Sequence, residues 1–496
     1  MFPFILTLCA GGSSAQSAYT YMDVGNLYGR VYANNYLFNN FSDLSEGLKV
    51  PKGGDAICIF ASALWIGAYD ENNEQRVAAN TYHLRGTDFW PGPIKDDGTS
   101  GDSTEWSKVW VMTKTMVEDH KLNFANGNYI MPDEVKNWPV NLGAEYTSTY
   151  ANFKDLNNNG IYEPASGEYP LISGDKEIYF IFNDLYSAHT ETTSAKPLGI
   201  EVKGKVYGYS SGTLKDALFV KYHITNRSTN NYKDVLAGIW TDFDIGNPAN
   251  DYVGSSTEHN MYFGYNGTAY DTGYINGPPA MGVLFLNKPL FYTQHYISST
   301  TAGNGEPSNA NHYYRLLKST QRNGLFEPAI SFNGNPCDNT GSNEIETPGD
   351  RRMVGSTETF TLTAGETVEL EIAFVFAQGT NYKESVCRLF EKADEIKTMY
   401  NNGEVTSVKA NTATDISVKA YPNPGSGQIN FTFNGVNQPL NISIYSATGI
   451  ELMSANGVTG NTWRLEQGTL PKGIYYLYVR PENKHNLSQP LKFVII

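Results

Sequence analysis

Alternation of apolar and polar residues with a period of two is the feature that most constrains the fold of this chain. It is clearest in FVKYHITN, residues 219–226, where successive residues would point to opposite faces. Such a period predicts a strand with one buried face and one face toward water. Further segments with strand character lie at 177–183, 199–209, 217–226 and 234–242. The sequence therefore predicts an all-β protein built from β-sandwiches.

The composition favours strands joined by turns. The 496 residues include 47 Gly, 23 Pro and 34 Tyr. Glycine and proline favour turns, whereas aromatic and β-branched residues favour strands. The chain is too long for one ordinary core, so we expect two to four domains. We divide it into an N-terminal β-rich region at 16–145, a central sandwich region at 146–401, a linker at 402–414 and a last domain at 415–496.

Residues 382–401 have the pattern of one amphipathic helix. Apolar residues recur there every three or four positions and form a single stripe. Asn381 can cap the helix, and Glu384 completes a capping box. We expect the stripe to lie on the preceding sandwich. Residues 265–350 are rich in Gly, Asn, Pro and Tyr without a clear period, and they are interpreted as long loops.

Charge and hydropathy limit the partners and the compartment. The formal net charge of −15 argues against nucleic acid as a partner, because phosphate binding requires clustered Lys and Arg. No later stretch is long and apolar enough to span a membrane. Residues 1–15 have an apolar run followed by small residues, which predicts a signal peptide cleaved after Ala15.

The cysteines do not form a recognisable framework. Cys9 lies in the predicted signal peptide, which leaves Cys58, Cys337 and Cys387. Three cysteines at scattered spacing predict neither a disulfide scaffold nor a zinc site. The sequence allows either one disulfide among these three cysteines or three free thiols.

The segment DLNNNGIYE, residues 155–163, has the pattern of the front half of a calcium-binding loop. Oxygen ligands at alternate positions, followed by glycine, surround a hard cation within one turn. Ser166 occupies the twelfth position, so a neighbouring carboxylate such as Glu168 would have to complete the shell. The alternative is a turn satisfied by its own backbone. The predicted calcium ligands are Asp155, Asn157, Asn159, Ile161 and Glu163.

A second predicted calcium site lies in TDFDIGNPANDYVG. Asp242 and Asp244 are two residues apart at the end of a predicted strand, so their side chains share one face. Asp251 lies within reach of the same loop. The alternative is turn chemistry supplied by Asp, Gly, Asn and Pro.

The sequence offers no catalytic residues that we would assign. Residues 208–212, GYSSG, match the nucleophile elbow, but that motif requires a strand before it and a helix after it. Strands are predicted on both sides here, which favours a hairpin turn. The pair Phe89 and Trp90 beside Pro91 fits either a sugar-stacking platform or a hydrophobic plug.

Several motifs together resemble a group of large secreted proteins from bacteria that use type IX secretion. In chain order they are LKVPKGG, FASALWIGAYDENNEQRVAANTY, GTDFWPGP, DLNNNGIYEPASGEYPLISGDKEIYFIFND and PGDRRMV. The resemblance extends over nearly the whole chain. No enzymatic activity is assigned to this group, so it implies location and architecture more than chemistry.

The last domain resembles the type A C-terminal sorting domain of type IX secretion. The matching features are YPNP at 421–424, a turn at 447–449, LPKGIY at 470–475 and the final LKFVII. Short strands with regular turns predict an immunoglobulin-like sandwich. The resemblance implies that the secretion machinery reads this domain as an address. It also implies that the protein is secreted or attached to the outer surface, where lipopolysaccharide is a further partner.

Two functions fit these observations. The preferred hypothesis is a non-catalytic protein of the cell exterior that acts in adhesion, glycan binding or an extracellular layer, with calcium-stabilised loops. The alternative is a secreted polysaccharide hydrolase whose cleft is formed by residues 88–105 and 265–350 and holds two facing carboxylates.

Overall fold

The computed structural model describes residues 17–82, 86–193, 195–274, 277–297, 303–325, 328–341, 346–405, 417–434, 439–446, 451–481 and 491–496. These residues belong to two compact units that divide between residues 407 and 408. The predicted signal peptide, the turn at 447–449 and the linker from residue 406 onward lie outside the described residues.

The first unit consists mainly of β-strands. They are β1 (Tyr19–Val24), β2 (Leu27–Tyr32), β3 (Leu37–Phe38), β4 (Leu48–Lys49), β5 (Ile57–Tyr69), β6 (Gln75–Ala78), β7 (Trp90–Pro91), β8 (Trp110–Thr113), β9 (Phe153–Lys154), β10 (Tyr169–Pro170), β11 (Lys176–Asn183), β12 (Ile200–Gly208), β13 (Ala217–Asn226), β14 (Tyr232–Phe243), β15 (Asp251–Ser256), β16 (Met261–Asn266), β17 (Ala280–Phe285), β18 (Tyr292–Ile297), β19 (Gly334–Asn335), β20 (Thr340–Gly341), β21 (Arg351–Ser356), β22 (Phe360–Leu362) and β23 (Thr367–Ala377). The helices are α1 (Lys114–Asn123), α2 (Asp133–Lys136), α3 (Ala310–Leu317) and α4 (Tyr382–Asn401).

Two large antiparallel sheets form a sandwich. Sheet 1 has the order β1-β2-β3-β5-β14-β21-β18, with β4, β6 and β22 paired alongside. Sheet 2 has the order β15-β16-β17-β23-β13-β12-β11-β7, with β8 paired to β11. A shared core lies between them, where Phe38 of sheet 1 meets Phe374 of sheet 2 edge to face, with ring centroids 5.1 Å apart. The all-β sandwich prediction is confirmed.

Helices cover parts of the outer faces of both sheets. Trp65 and Trp240 on the outer face of sheet 1 pack with Tyr313 and Leu317 of α3. On sheet 2, the buried stripe of α4 packs on residues that include Phe219. Each fully buried side chain of this kind contributes roughly 1.5–3 kcal/mol relative to exposure. The helices explain why many strands of this unit are buried on both faces.

Helix α4 agrees with its prediction from Tyr382 to Asn401. The Asn381 side chain accepts hydrogen bonds from the backbone N–H groups of Lys383 and Glu384, each at 3.1 Å. The Glu384 carboxylate accepts the N–H of Thr380 at 2.8 Å, one residue before the cap. A cap of this kind stabilises a helix by about 1 kcal/mol.

The region at 265–350 differs from its interpretation as long loops. It contains β17, a strand of sheet 2, β18, a strand of sheet 1, and the two-turn helix α3, which packs on sheet 1. These elements are short and their apolar residues are set among Gly, Asn and Pro, so no sustained period marks them in the sequence. Helix α1 was likewise not predicted; its apolar residues are few and it buries only Val117 and His120.

The division predicted near residue 145 does not separate two compact units. Strand β5 from the N-terminal region pairs with β14 from the central region over most of its length. Strands β7 and β8 likewise pair with β11. These pairings join segments distant in sequence, and local composition carries no sign of them.

The three cysteines among the described residues form one disulfide and leave one thiol. Cys337 and Cys387 are bonded, with their Cα atoms 5.5 Å apart, and the bond links the β19–β20 hairpin region to α4. Cys58 is a buried thiol whose Sγ lies 3.0 Å from the hydroxyl of Tyr274. Of the two possibilities left open by the sequence, the structure therefore has the disulfide.

The second unit is a smaller two-sheet sandwich. Its strands are β24 (Ser417–Tyr421), β25 (Ile429–Asn434), β26 (Leu440–Ser446), β27 (Glu451–Val458), β28 (Thr462–Leu465), β29 (Gly473–Pro481) and β30 (Leu491–Ile495). One sheet has the order β24-β25-β28 and the other β27-β26-β29-β30. Apolar side chains from both, including Phe431 and Phe493, form one core. No helix in the described part of the chain is long and apolar enough to cross a bilayer.

Candidate functional site

The loop at 155–163 is exposed, and its first carboxylate is bonded to the loop's own backbone. Oδ1 of Asp155 accepts the N–H of Asn158 at 2.6 Å and that of Asn159 at 3.3 Å. Oδ2 accepts the N–H of Gly160 at 2.8 Å. These bonds, the one from Gly160 most of all, hold the pKa of Asp155 below its ordinary value because they stabilise the ionised form.

The other predicted ligands lie in the same loop. The side-chain amides of Asn157 and Asn159 both donate to Oε2 of Glu163, each at 2.8 Å. Oδ1 of Asn159 accepts the N–H of Ile161 at 2.7 Å. Buried Glu168 accepts the N–H of Glu163 at 2.7 Å and closes the base of the loop. The structure thus brings the predicted residues together in a turn that already satisfies many of its polar groups, and calcium binding there stays a prediction.

The end of β14 carries a different arrangement, an acidic cluster formed by Asp242, Asp244 and Asp350. In the antiparallel pair of β14 and β21, Asp242 stands opposite Arg352. The same register brings Asp350, just before β21, beside Asp244. One carboxylate oxygen from each of the three aspartates lies within 4.8 Å of the other two. Asp242 is fully buried, and the other two are half-buried.

One arginine and one tyrosine bond to this acidic cluster. Nη1 of Arg352 donates to Oδ1 of Asp350 at 2.6 Å, and Nη2 lies 3.1 Å from Oδ2 of Asp242. The hydroxyl of Tyr82 donates to the same Oδ2 at 2.6 Å. Within the described residues, Oδ1 of Asp242 has no hydrogen-bond partner.

Burial and neighbouring charge favour the neutral form of two carboxylates of the acidic cluster, those of Asp242 and Asp244. Burial raises the pKa of Asp242 to about 7, against the opposing effect of the Arg352 charge. Burial, together with the charges of Asp242 and Asp350, raises the pKa of Asp244 to about 9. Three acidic groups around a single guanidinium therefore favour the uptake of further positive charge.

Asp251, the third predicted ligand of this site, is not part of the acidic cluster. Its Oδ2 accepts the N–H of Ile245 at 2.8 Å, so it braces the loop after β14 from the other side. Asp350 takes the place that we assigned to Asp251. The pairing of β14 with β21 decides this, and the only trace in the sequence is the PGDRR motif that ends at Arg352.

The aromatic pair Phe89 and Trp90 divides between core and surface. Phe89 is fully buried and packs edge to face on Phe182, with ring centroids 5.1 Å apart. Trp90 is partly exposed, and its ring centroid lies 6.2 Å from that of Tyr186, which is 42% exposed. Because β7 pairs with the end of β11, Trp90 meets the loop that carries Tyr186. Phe89 therefore acts as the hydrophobic plug, whereas sugar stacking on Trp90 stays a prediction.

Trp90 and Tyr186 line an aromatic cleft of about 630 Å³. Its other aromatic residues are Tyr32, Tyr36 and Phe41, and its polar side chains include Asn34, Ser42, Thr87, Ser103, Thr104 and Ser107. Of the two segments predicted to form a hydrolase cleft, the one at 88–105 contributes to this lining. Among the described residues, the segment at 265–350 contributes nothing to it.

Two further features of the aromatic cleft concern its polar groups and the loop that carries Tyr186. Asn34 is 7% exposed, and its Oδ1 accepts no hydrogen bond in the described part of the chain. The loop bearing Tyr186 is fixed by buried His189, whose ring nitrogens each lie 2.9 Å from a carbonyl oxygen, one of Val77 and one of Asp184. The sequence marked Trp90 but not the other rings, which come from segments far apart in the chain.

The serine motif at 208–212 is a connection between strands. Strand β12 ends at Gly208, a short 3₁₀ turn at Thr213–Asp216 follows, and β13 returns beside β12 in antiparallel register. The strand-to-helix geometry of a nucleophile elbow is therefore not formed there.

The final unit decides how the protein is exported. Residues 419–495 match the family model described as "Secretion system C-terminal sorting domain". The chain is a type IX secretion cargo protein. Its sorting domain directs export, so this cargo protein is secreted or placed on the outer surface. The sorting domain covers β25 to β30 completely and most of β24.

Comparisons of the whole cargo protein give only distant likenesses. A polysaccharide lyase shares 11% identity over 60% of this chain and 34% of its own, with a TM-score of 0.21. A family GH92 inverting mannosidase from Bacteroides thetaiotaomicron shares 10% identity over 49% and 27%, with a TM-score of 0.19. PorZ, a surface component of the type IX secretion system of Porphyromonas gingivalis, shares 10% identity over 66% and 42%, with a TM-score of 0.15.

The cargo protein thus spans less than half the length of each of these three proteins. Their low TM-scores carry no information about its activity. No curated protein sequence matches the chain.

Proposed function

We propose that this cargo protein binds a glycan at the cell exterior through the aromatic cleft, without cleaving it. The observation that carries the proposal is the set of rings around Trp90 and Tyr186, because Trp90, Tyr186 and Phe41 are not buried. Sugar rings present apolar C–H faces that stack on aromatic side chains, and their hydroxyls require hydrogen-bond partners. The cleft supplies both kinds of group.

The polar lining supports an uncharged ligand. The described lining offers serine and threonine hydroxyls and the free Oδ1 of Asn34. A ligand hydroxyl that donates to this oxygen would satisfy a buried acceptor, and leaving such an acceptor unsatisfied costs about 1–3 kcal/mol. An adhesive or structural role outside the cell follows if the ligand is a surface polysaccharide.

A glycan array tests the proposal with the exported protein. The array carries lipopolysaccharide O-chains and free extracellular polysaccharides as separate arms, because both are available outside the cell. We expect binding to at least one arm, and Tyr186→Ala should weaken it about tenfold, which corresponds to about 1.4 kcal/mol for one lost stacking partner. Trp90→Ala should weaken it at least as much.

Tyr270→Ala is the matched control, because Tyr270 is 62% exposed and lies outside the cleft lining. It should bind as the unmodified protein does. Absence of binding to every glycan, or equal losses for Tyr186→Ala and Tyr270→Ala, would contradict the proposal. A reducing-end assay on the bound polysaccharide decides between binding and hydrolysis, since release of new reducing ends would favour the hydrolase.

A further inference from the structure

We propose that the acidic cluster binds a hard divalent cation, Ca²⁺, through Asp242, Asp244 and Asp350. The three carboxylates lie at the end of β14 and just before its neighbour β21 in sheet 1, and one oxygen of each lies within 4.8 Å of the others. Nothing in the proposed glycan site uses these residues, which line no part of the aromatic cleft.

The unpartnered oxygen of Asp242 points to a ligand. Its Oδ2 is occupied by Tyr82 and Arg352, whereas its Oδ1 has no partner among the described residues although the side chain is fully buried. A buried carboxylate oxygen left without a partner is unfavourable. A cation bound between Asp242 and Asp244 would satisfy it without disturbing the existing bonds.

The charge of the acidic cluster matches a divalent ion. When ionised, the three carboxylates carry −3, and Arg352 contributes +1, which leaves −2. Arg352 bonds to one oxygen each of Asp242 and Asp350 and leaves the second oxygen of each free of this arginine. A ligand set of carboxylate oxygens alone favours Ca²⁺, Mg²⁺ or Mn²⁺ over metals that prefer nitrogen or sulfur.

The spacing and the exposure favour calcium. Calcium–oxygen distances of about 2.3–2.6 Å allow ligand oxygens to lie almost 5 Å apart, whereas the roughly 2.0–2.1 Å distances of magnesium require a tighter group. The Asp350 side chain is 42% exposed, so the ion can enter from solvent and water can complete its shell. The bound ion would fasten β14 to the start of β21.

Calorimetric titration of the full chain, dialysed against chelator, tests the site with CaCl₂, MgCl₂ and MnCl₂ in separate arms. We expect calcium to bind most tightly. Asp244→Asn should weaken calcium binding at least tenfold at one site, because it removes one anionic ligand. Asp155→Asn distinguishes calcium binding by the loop at 155–163 from binding by the acidic cluster. Asp55→Asn, at an exposed position, is the surface control.

Thermal unfolding with chelator and with calcium provides a second test of the site if a variant is unstable. With chelator present, Asp244→Asn should have a Tm equal to or above that of the unmodified protein, because it removes one of three acidic side chains that crowd one another. It should then lose the increase in Tm that calcium produces. Calcium binding that Asp155→Asn abolishes and Asp244→Asn leaves intact would overturn the site, as would no binding at all. Tighter binding of Mg²⁺ or Mn²⁺ would overturn the choice of calcium.

Discussion

The two aspartate-rich segments of the first unit place their carboxylates in opposite electrostatic environments. In the loop at 155–163, backbone N–H groups of neighbouring residues bond to the Asp155 carboxylate at the protein surface. In the acidic cluster, the carboxylates come from the end of β14 and the residue before β21, and one oxygen of buried Asp242 has no partner among the described residues. The pKa of Asp155 is lowered and that of Asp244 is raised, so the pKa shifts in the two segments have opposite signs.

This difference shows that a metal motif and a metal site are separate things. Alternating Asp and Asn followed by Gly also makes a turn that is stable by itself, because short polar side chains bond readily to nearby backbone. The carboxylates of the acidic cluster are not satisfied by nearby backbone in this way, because the backbone groups of the adjoining strands already bond to each other in the sheet. It depends instead on Arg352 and, we propose, on a cation.

The largest expected effect is the loss of Arg352. Arg352→Met should lower the free energy of unfolding by about 3–5 kcal/mol, because it leaves buried carboxylates without their counter-charge. Urea unfolding measures the change. Arg388→Met is the matched control, since Arg388 forms an exposed pair with Glu384 on α4 and its loss should cost less than about 1 kcal/mol. Equal effects of the two substitutions would contradict the expected difference between the buried pairs of Arg352 and the exposed pair of Arg388.

The pH dependence of stability should be next in size and opposite in sign at the two segments. With calcium chelated, the raised pKa of Asp244 means that the folded state holds a proton that the unfolded state has lost, between the ordinary value of 3.8 and about 9. Stability therefore falls as pH rises through that window, by at most about 1.4 kcal/mol per pH unit for one group. Asp244→Asn should flatten this slope in urea unfolding between about pH 5 and 8.

Asp155→Asn provides the comparison for that slope. Because the pKa of Asp155 is lowered, its stabilisation is present above 3.8 and is lost as pH falls below that value. The substitution should leave the slope above about pH 5 unchanged. A flatter slope in Asp155→Asn than in Asp244→Asn would reverse the assignment of the two environments.

The smallest expected effect concerns the turn of the loop. Gly160 has a φ of +73°, and its N–H bonds to Asp155, so Gly160→Ala should cost about 1 kcal/mol through backbone strain alone. A Cβ at this position would meet no atom within 4 Å, which removes a clash as the cause. Gly127→Ala is the control, because that residue also has open space and has no positive φ. Thermal unfolding should separate the two.

Local patterns predicted the local elements of this protein. The period of two in β13 and the apolar stripe of α4 are written in adjacent residues, and the structure has both where they were expected. The turn at 155–163 was predicted for the same reason. In contrast, α3 and strands β17 and β18 escaped prediction because each is short and lies among turn-forming residues.

The candidate sites were predicted only in part. Asp242 and Asp244 could be paired from their spacing on one strand, but Asp350 joins them through a strand pairing that spans more than a hundred residues. Trp90 stood out beside Pro91, whereas Tyr36 and Tyr186 reach the same cleft through β2–β3 and the end of β11. These contacts between distant residues depend on the order of the strands in the sheets, which the sequence of a single segment does not reveal.

Local sequence specifies three features, because each depends on residues close together in the chain: the strand-rich composition, the amphipathic helix and the sorting domain. Strand pairing over long distances determines that the predicted N-terminal and central regions share one sandwich. It also determines that Asp350 rather than Asp251 completes the acidic cluster and that Trp90 faces an open cleft. The physical reason is that antiparallel pairing fixes distant residues in register through backbone bonds, and these bonds are the same for every side chain.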